Sequence, residues 1–380
     1  MYQQIKNYLK PKLTSIKNGK LKYIKKDKLK HLIITLTYQC QLKCKMCVQV
    51  NTPEEAANSQ KNWTQVPYSV IKSRIDELKK PPRTMYLFGG EPLIYKDIFK
   101  LSEYLNSKNI VFSYSTNGLL LKKYTKQILD HPPKMISVSM DGFTSELHDE
   151  IRGLKGSWQK AIDGMISLFE EKKKRGLDYP EIKIHFTITP DNYDTMEDFY
   201  NFFINKFDGV DEIKFHMPRF STKQMGIDYY EIMLKEFDTN CMSYLGNVSD
   251  QDFVEECLTK INTKVLHKQI KNLLNKPKVA YLGPIDLDEI ELFFNKPEYY
   301  PKERECICSY SLAIQANGDY SACGDFPDLH FGNIKDTSIR DAFYSKKASK
   351  WRNYLREKGN PGVLSKCSRL YRTIYSKEKD

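Results

Sequence analysis

Nine cysteines occur in this 380-residue chain, and three of them fall in one short stretch, Cys40-Gln-Leu-Lys-Cys44-Lys-Met-Cys47. Thiolates are soft ligands that suit iron-sulfur clusters and zinc. Three in one loop can hold three irons of a four-iron cubane and leave the fourth iron with an open position, where chemistry would take place. A closed zinc site needs a fourth thiolate or imidazole close by, and the first histidine after Cys47 is His131. The spacing therefore favours a [4Fe-4S] cluster. Cys306, Cys308, Cys323 and Cys367 form a second group near the C-terminus. Between them the run Leu312 to Ala322 contains Asn317-Gly318, a strong hairpin signal that would fold Cys323 back toward Cys306 and Cys308. Cys367 follows a candidate helix and would complete a four-thiol site, for which the residues alone leave zinc and a cluster both open. Cys241 and Cys257 show no ligand spacing. Cys257 repeats at four-residue intervals with Phe253, Ile261 and Val265, the stripe of one amphipathic helix, and both cysteines read as small buried hydrophobes.

Something must hold the first loop in place, and residues 31–216 show how. Short β-rich runs at Leu32 to Thr37, Thr84 to Phe88, Ile110 to Ser115, Met135 to Met140, Ile182 to Thr189 and Glu212 to His216 alternate with helical periodicity. Val70, Ile71, Ile75 and Leu78, for example, place one apolar stripe on a helix. Alternation of this kind specifies a parallel sheet with right-handed crossovers and chemistry at the C-terminal ends of the strands. Six βα units are too few to close an eight-stranded barrel, so the expected fold is α/β, a partial (β/α)6 TIM-like barrel. The motifs sit where such a sheet would use them. The cysteine loop follows the first strand and Gly89-Gly90-Glu91-Pro92 the second; Ser115-Thr116-Asn117-Gly118 closes the third and Ser139-Met140-Asp141-Gly142 the fourth.

Composition bounds the remaining possibilities. Hydrophobic residues make up 40% of the chain and aromatics 12%, as in a folded protein. No apolar run approaches the ~20 residues that span a bilayer, and none after the basic N-terminus reads as a signal peptide, so a cytoplasmic protein is expected. Thiols there stay reduced, which argues for metal or redox roles and against disulfides. The net charge of +12 is concentrated in residues 1–30, where ten lysines face one acid, Asp27. With the remainder almost neutral, no specific nucleic-acid binding is expected; the arm reads as a solvated basic segment able to attract anionic partners.

A Cys-x3-Cys-x2-Cys loop after a first strand and Gly-Gly-Glu-Pro after a second together resemble the radical S-adenosylmethionine superfamily. The resemblance implies that Cys40, Cys44 and Cys47 bind a [4Fe-4S] cluster whose open iron is chelated by S-adenosylmethionine. It implies that Gly89, Gly90, Glu91 and Pro92 hold the amino group, and that Ser139 and Arg152 contact ribose and carboxylate. Met46 stands where the superfamily often has an aromatic residue before the last cysteine. The C-terminal block, with Gly318-x4-Cys323, Gly332-Asn-Ile-Lys-Asp and a late cysteine, resembles the SPASM and twitch auxiliary-cluster domains. That implies a second [4Fe-4S] cluster at Cys306, Cys308, Cys323 and Cys367. The organisation expected is thus a basic arm (1–30), the barrel (31–216), a mainly helical connection (217–300) and a smaller auxiliary-cluster domain with a β-hairpin (301–380). The implied activity is reductive cleavage of S-adenosylmethionine to a 5'-deoxyadenosyl radical that abstracts hydrogen from a substrate carbon, with an external one-electron reductant such as flavodoxin or ferredoxin. A peptide or protein is the first substrate class; a sugar or other small metabolite is the alternative. A non-catalytic electron carrier is a third reading, opposed by Gly89 to Pro92, since a carrier needs no amino-acid clamp.

Overall fold

Runs of β-branched and aromatic residues that alternate with amphipathic stretches build a single large sheet in this computed structural model. The structure describes residues 27–52, 65–248, 251–283, 285–297 and 305–364, positions 299, 366 and 367, and the backbone of short strands at 13–17, 20–23 and 370–371. Most of the basic arm lies outside the described residues. Six strands, β1 (His31–Thr37), β2 (Thr84–Gly89), β3 (Phe112–Thr116), β4 (Met135–Ser139), β5 (Glu181–Thr187) and β6 (Glu212–His216), follow the sequence expectation within two residues at each end. They pair in parallel and in chain order.

Helices α1 (Tyr68–Asp76), α2 (Ile98–Ser107), α3 (Leu121–Asp130), α4 (Ser145–Arg152), α5 (Ser157–Lys174) and α6 (Met196–Lys206) supply the crossovers. One face of each strand meets them. On β5, Ile182, Ile184 and Phe186 are fully buried, and Phe186 packs edge-on against Phe199 of α6 at 4.6 Å. The opposite face of β5 and β6 is polar. There Lys183 bridges Glu181 and Glu212 at 3.2 and 3.3 Å, and the rings of His185 and His216 stand 4.5 Å apart. Strands with one apolar and one charged face give the period-two pattern that the sequence shows.

The parallel run extends past six strands at both ends. β7 (Val279–Leu282) pairs with β6, and β8 (Ser311–Ile314) pairs with β1. β7 and β8 do not pair with each other, so the barrel is open. Among the described residues of 217–300 the regular elements are helical apart from β7. The expected hairpin forms between β8 and β9 (Asp319–Ser321), and β10 (His330–Asn333) adds a third antiparallel strand. Its first strand belongs to the barrel sheet, which sets the hairpin beside β1.

The expected single helix through Phe253, Cys257, Ile261 and Val265 is two helices, Gln251–Thr259 and Thr263–Leu274. Asn262 breaks it. Its side chain accepts from the backbone N–H groups of Lys264 and Val265 and caps the second helix, which leaves Val265 37% exposed and off the stripe.

Candidate active site

The Cys40–Cys47 loop gains its shape from α4. The last carbonyls of a helix have no partner within it, and here the loop supplies them: Lys43 N donates to Arg152 O at 3.3 Å and Lys45 N to Ile151 O at 3.0 Å. Lys45 adds surface ion pairs to Glu150 at 2.9 Å and Asp191 at 3.3 Å. Within the loop Cys47 N donates to Cys44 O at 3.1 Å.

The Gly-Gly-Glu-Pro turn is laced to the residues that lead into this loop. Gly90 N donates to Thr37 O and Glu91 N to Gln39 O, both at 2.8 Å. This close approach explains the glycines. A Cβ on Gly89, whose φ is +144°, would sit 2.3 Å from Thr37 O, and one on Gly90 2.3 Å from Gln39 O. Glu91 has no exposed surface. Its carboxylate accepts from Leu93 N at 3.1 Å, Thr116 Oγ1 at 2.8 Å and Asn117 N at 2.7 Å. Burial pushes it up to about 7 against those three donors. Glu91 thus ties the ends of β2 and β3 together.

Asn117 extends the link to sulfur, donating from Nδ2 to Gln41 Oε1 at 3.0 Å and to Cys40 Sγ at 3.6 Å. Cys44 receives a comparable contact from Arg152 Nη1 at 3.7 Å. Arg152 is buried, not a surface arginine, and its Nε lies 2.5 Å from Oδ2 of the fully buried Asp141. Asp141 also accepts from Thr187 N at 2.7 Å. Burial alone would loosen the proton on Arg152, but Asp141 and Cys44 outweigh it and hold its pKa above the usual value. Burial likewise pushes the Cys44 thiol up to about 11, opposed by Arg152. Ser139 lies at the C-terminal end of β4, in register with His185. The structure therefore brings Cys40, Cys44, Cys47, Gly89 to Pro92, Ser139 and Arg152 to one end of the sheet. Nothing in the sequence spacing assigns a role to the side chains of Asn117 and Asp141. Their signal was position: each is a polar residue just past a strand of a parallel sheet.

At the second site Cys306, Cys308, Cys323 and Cys367 are all buried. Contacts with the Cys306 and Cys323 thiols, and burial, push Cys308 well up. Cys308 N donates to Cys306 Sγ and Asp325 N to Cys323 Sγ, both at 3.4 Å. Residues 305–306 pair with 370–371, with Cys306 opposite Leu370, which carries Cys367 toward the other three. The two sites are joined by a partly buried bridge. Tyr38 donates to Gln315 Oε1 at 2.7 Å, and Gln315 Nε2 donates to Ser321 Oγ at 2.7 Å and to Cys323 O at 3.0 Å. Cys241 and Cys257 are both buried as expected, and Cys241 in addition has a polar partner, its Sγ lying 3.0 Å from Asp328 Oδ2.

Donor chemistry fits iron-sulfur ligation at both places: sets of three and four reduced cysteines, with N–H groups already aimed at sulfur. Among the described residues no three His, Cys, Asp or Glu side chains converge as they would around one bound ion. Ligation would draw the neighbouring thiols together.

Residues 34–203 match the Radical SAM superfamily and residues 306–369 match SPASM, an iron-sulfur cluster-binding domain. The chain thus carries a radical SAM domain and a C-terminal SPASM domain, and such domains imply iron-sulfur clusters and S-adenosylmethionine binding. Similar curated proteins include Fe-coproporphyrin III synthase of Methanosarcina barkeri, 30% identical over 46% of this chain and 42% of that protein. Mycofactocin maturase MftC of Mycolicibacterium smegmatis is 27% identical over 43% of this chain and 39% of that protein. The chain thus spans less than half the length of these relatives. Among solved structures, Streptococcus suis SuiB bound to the precursor peptide SuiA shares the fold, with a TM-score of 0.60 at 16% identity over 90% of this chain and 71% of that one. Among the described residues no helix is long and apolar enough to cross a membrane.

Proposed function

We propose that the chain modifies a peptide or protein by radical chemistry, with Cys40, Cys44 and Cys47 holding a [4Fe-4S] cluster and Cys306, Cys308, Cys323 and Cys367 a second. The observation that carries the first site is the lacing of Gly90 and Glu91 onto the chain just before Cys40, which sets the Gly-Gly-Glu-Pro turn beside the thiols. When bound, the cluster and S-adenosylmethionine supply one-electron chemistry that yields a hydrogen-abstracting radical. The chain's own residues bind and orient. Glu91 locks the turn to β3, and Asp141 holds Arg152 charged beside Cys44, with its second terminal nitrogen suited to a carboxylate. Ser139 is assigned to the ribose. The Tyr38–Gln315 bridge keeps the second site in fixed relation to the first, as needed if that site takes an electron from the substrate.

Peptide as substrate is supported by the likeness to MftC and to SuiB, whose structure contains a precursor peptide. The similarity to Fe-coproporphyrin III synthase favours a second reading, a small metabolite. Anaerobically reconstituted protein should be incubated with reductant, S-adenosylmethionine and short peptides encoded beside its gene. A peptide mass change that depends on S-adenosylmethionine supports the first reading. Turnover of a porphyrin or sugar with no peptide change would replace it.

A further inference from the structure

Asn117 has a fixed amide. Its backbone N–H is held by Glu91 Oε2 at 2.7 Å, and its Oδ1 accepts from Leu119 N at 3.0 Å. Turning the amide over would set its NH2 against the Leu119 N–H, donor against donor, so Nδ2 must face the other way. There its two hydrogens meet Gln41 Oε1 at 3.0 Å and Cys40 Sγ at 3.6 Å. A neutral donor aimed at a metal-binding sulfur has a definite electrostatic consequence. Reduction adds negative charge to a cluster and its thiolates, and a hydrogen bond to sulfur stabilises that charge, which raises the reduction potential.

We propose that Asn117 is a positioning residue that donates an N–H to the Cys40 thiolate and raises the potential at which the cluster accepts its electron. This rests on Cys40, Cys44 and Cys47 being the cluster ligands. Arg152 makes the parallel contact to Cys44, but its charge is shared with Asp141; Asn117 acts on sulfur without that complication. The same side chain also ties Gln41 into the turn, and a purely structural tie would leave the potential where it is.

Asn117→Asp keeps the shape and the acceptor for Leu119 while removing the donor, and Asn117→Leu removes both polar atoms. Each variant and the parent are reconstituted anaerobically, their iron is counted, and midpoint potentials are read by EPR-monitored titration without S-adenosylmethionine. The relevant signal is the one missing from a Cys40, Cys44, Cys47 triple-alanine protein. Both variants should hold the parent's iron and titrate at lower potential, Asn117→Asp lowest because its charge adds to the lost hydrogen bond. Unchanged potentials at full iron content overturn the proposal. Loss of the cluster in both variants also overturns it, and makes Asn117 an assembly residue. A parent protein with the same signal and iron as the triple variant would instead remove the cluster assignment on which the proposal rests.

Discussion

Replacing Arg152 by methionine should destabilise the fold as well as impair the site. The side chain of Arg152 is 11% exposed and that of Asp141 not at all, at 2.5 Å separation. Removing one member of such a pair strands a buried charge and costs about 3–5 kcal/mol. A solvent-exposed pair such as Lys45–Glu150 contributes about 0–1 kcal/mol, so the two classes are easily told apart. Asp141→Asn should relieve the stranded charge, and its amide oxygen can still accept from Thr187 N. The double variant should then lose less than the sum of the single losses. Acid should help the single Arg152→Met protein. Burial already raises Asp141, and without its cation the carboxyl rises further. The folded state then binds a proton more tightly than the unfolded one, so the deficit shrinks as pH falls through that raised pKa and is fullest above it. Urea unfolding of metal-free protein across pH measures this. A loss below 1 kcal/mol, or strict additivity in the double variant, would refute the buried-pair reasoning.

Two other outcomes follow from the geometry. Glu91 is held at about 7 by burial, above its unfolded value, so it makes the fold less stable as pH rises from about 4 to 7; Glu91→Gln should flatten that part of the stability profile in the same urea titration. Replacing Cys323 and Cys367 by alanine should leave 5'-deoxyadenosine formation largely intact while abolishing product, if the second site receives an electron. Joint loss of both, with loss of a cooperative melting transition, would mean that it serves the fold instead.

Much of the site was legible because its signals are local. Cys40, Cys44 and Cys47 lie in one loop, and Gly89 to Pro92 follow a strand whose period-two pattern is plain. The Arg152–Asp141 pair was not, because it joins the end of α4 to the end of β4 and nothing in the spacing separates a buried arginine from an exposed one. β7 escaped because four residues after a helix carry too little periodicity. The hairpin is legible as local structure, but its parallel pairing with β1 is a contact between residues 280 positions apart, which no pattern within the hairpin encodes. Asn262 was overlooked as a cap because the apolar spacing continues across it.

The most direct test of the central claim is release of 5'-deoxyadenosine from S-adenosylmethionine by reduced, anaerobically reconstituted protein, compared with the Cys40, Cys44, Cys47 triple-alanine variant. The parent should release it and the variant should not; equal release by both would contradict the assignment of the first three cysteines.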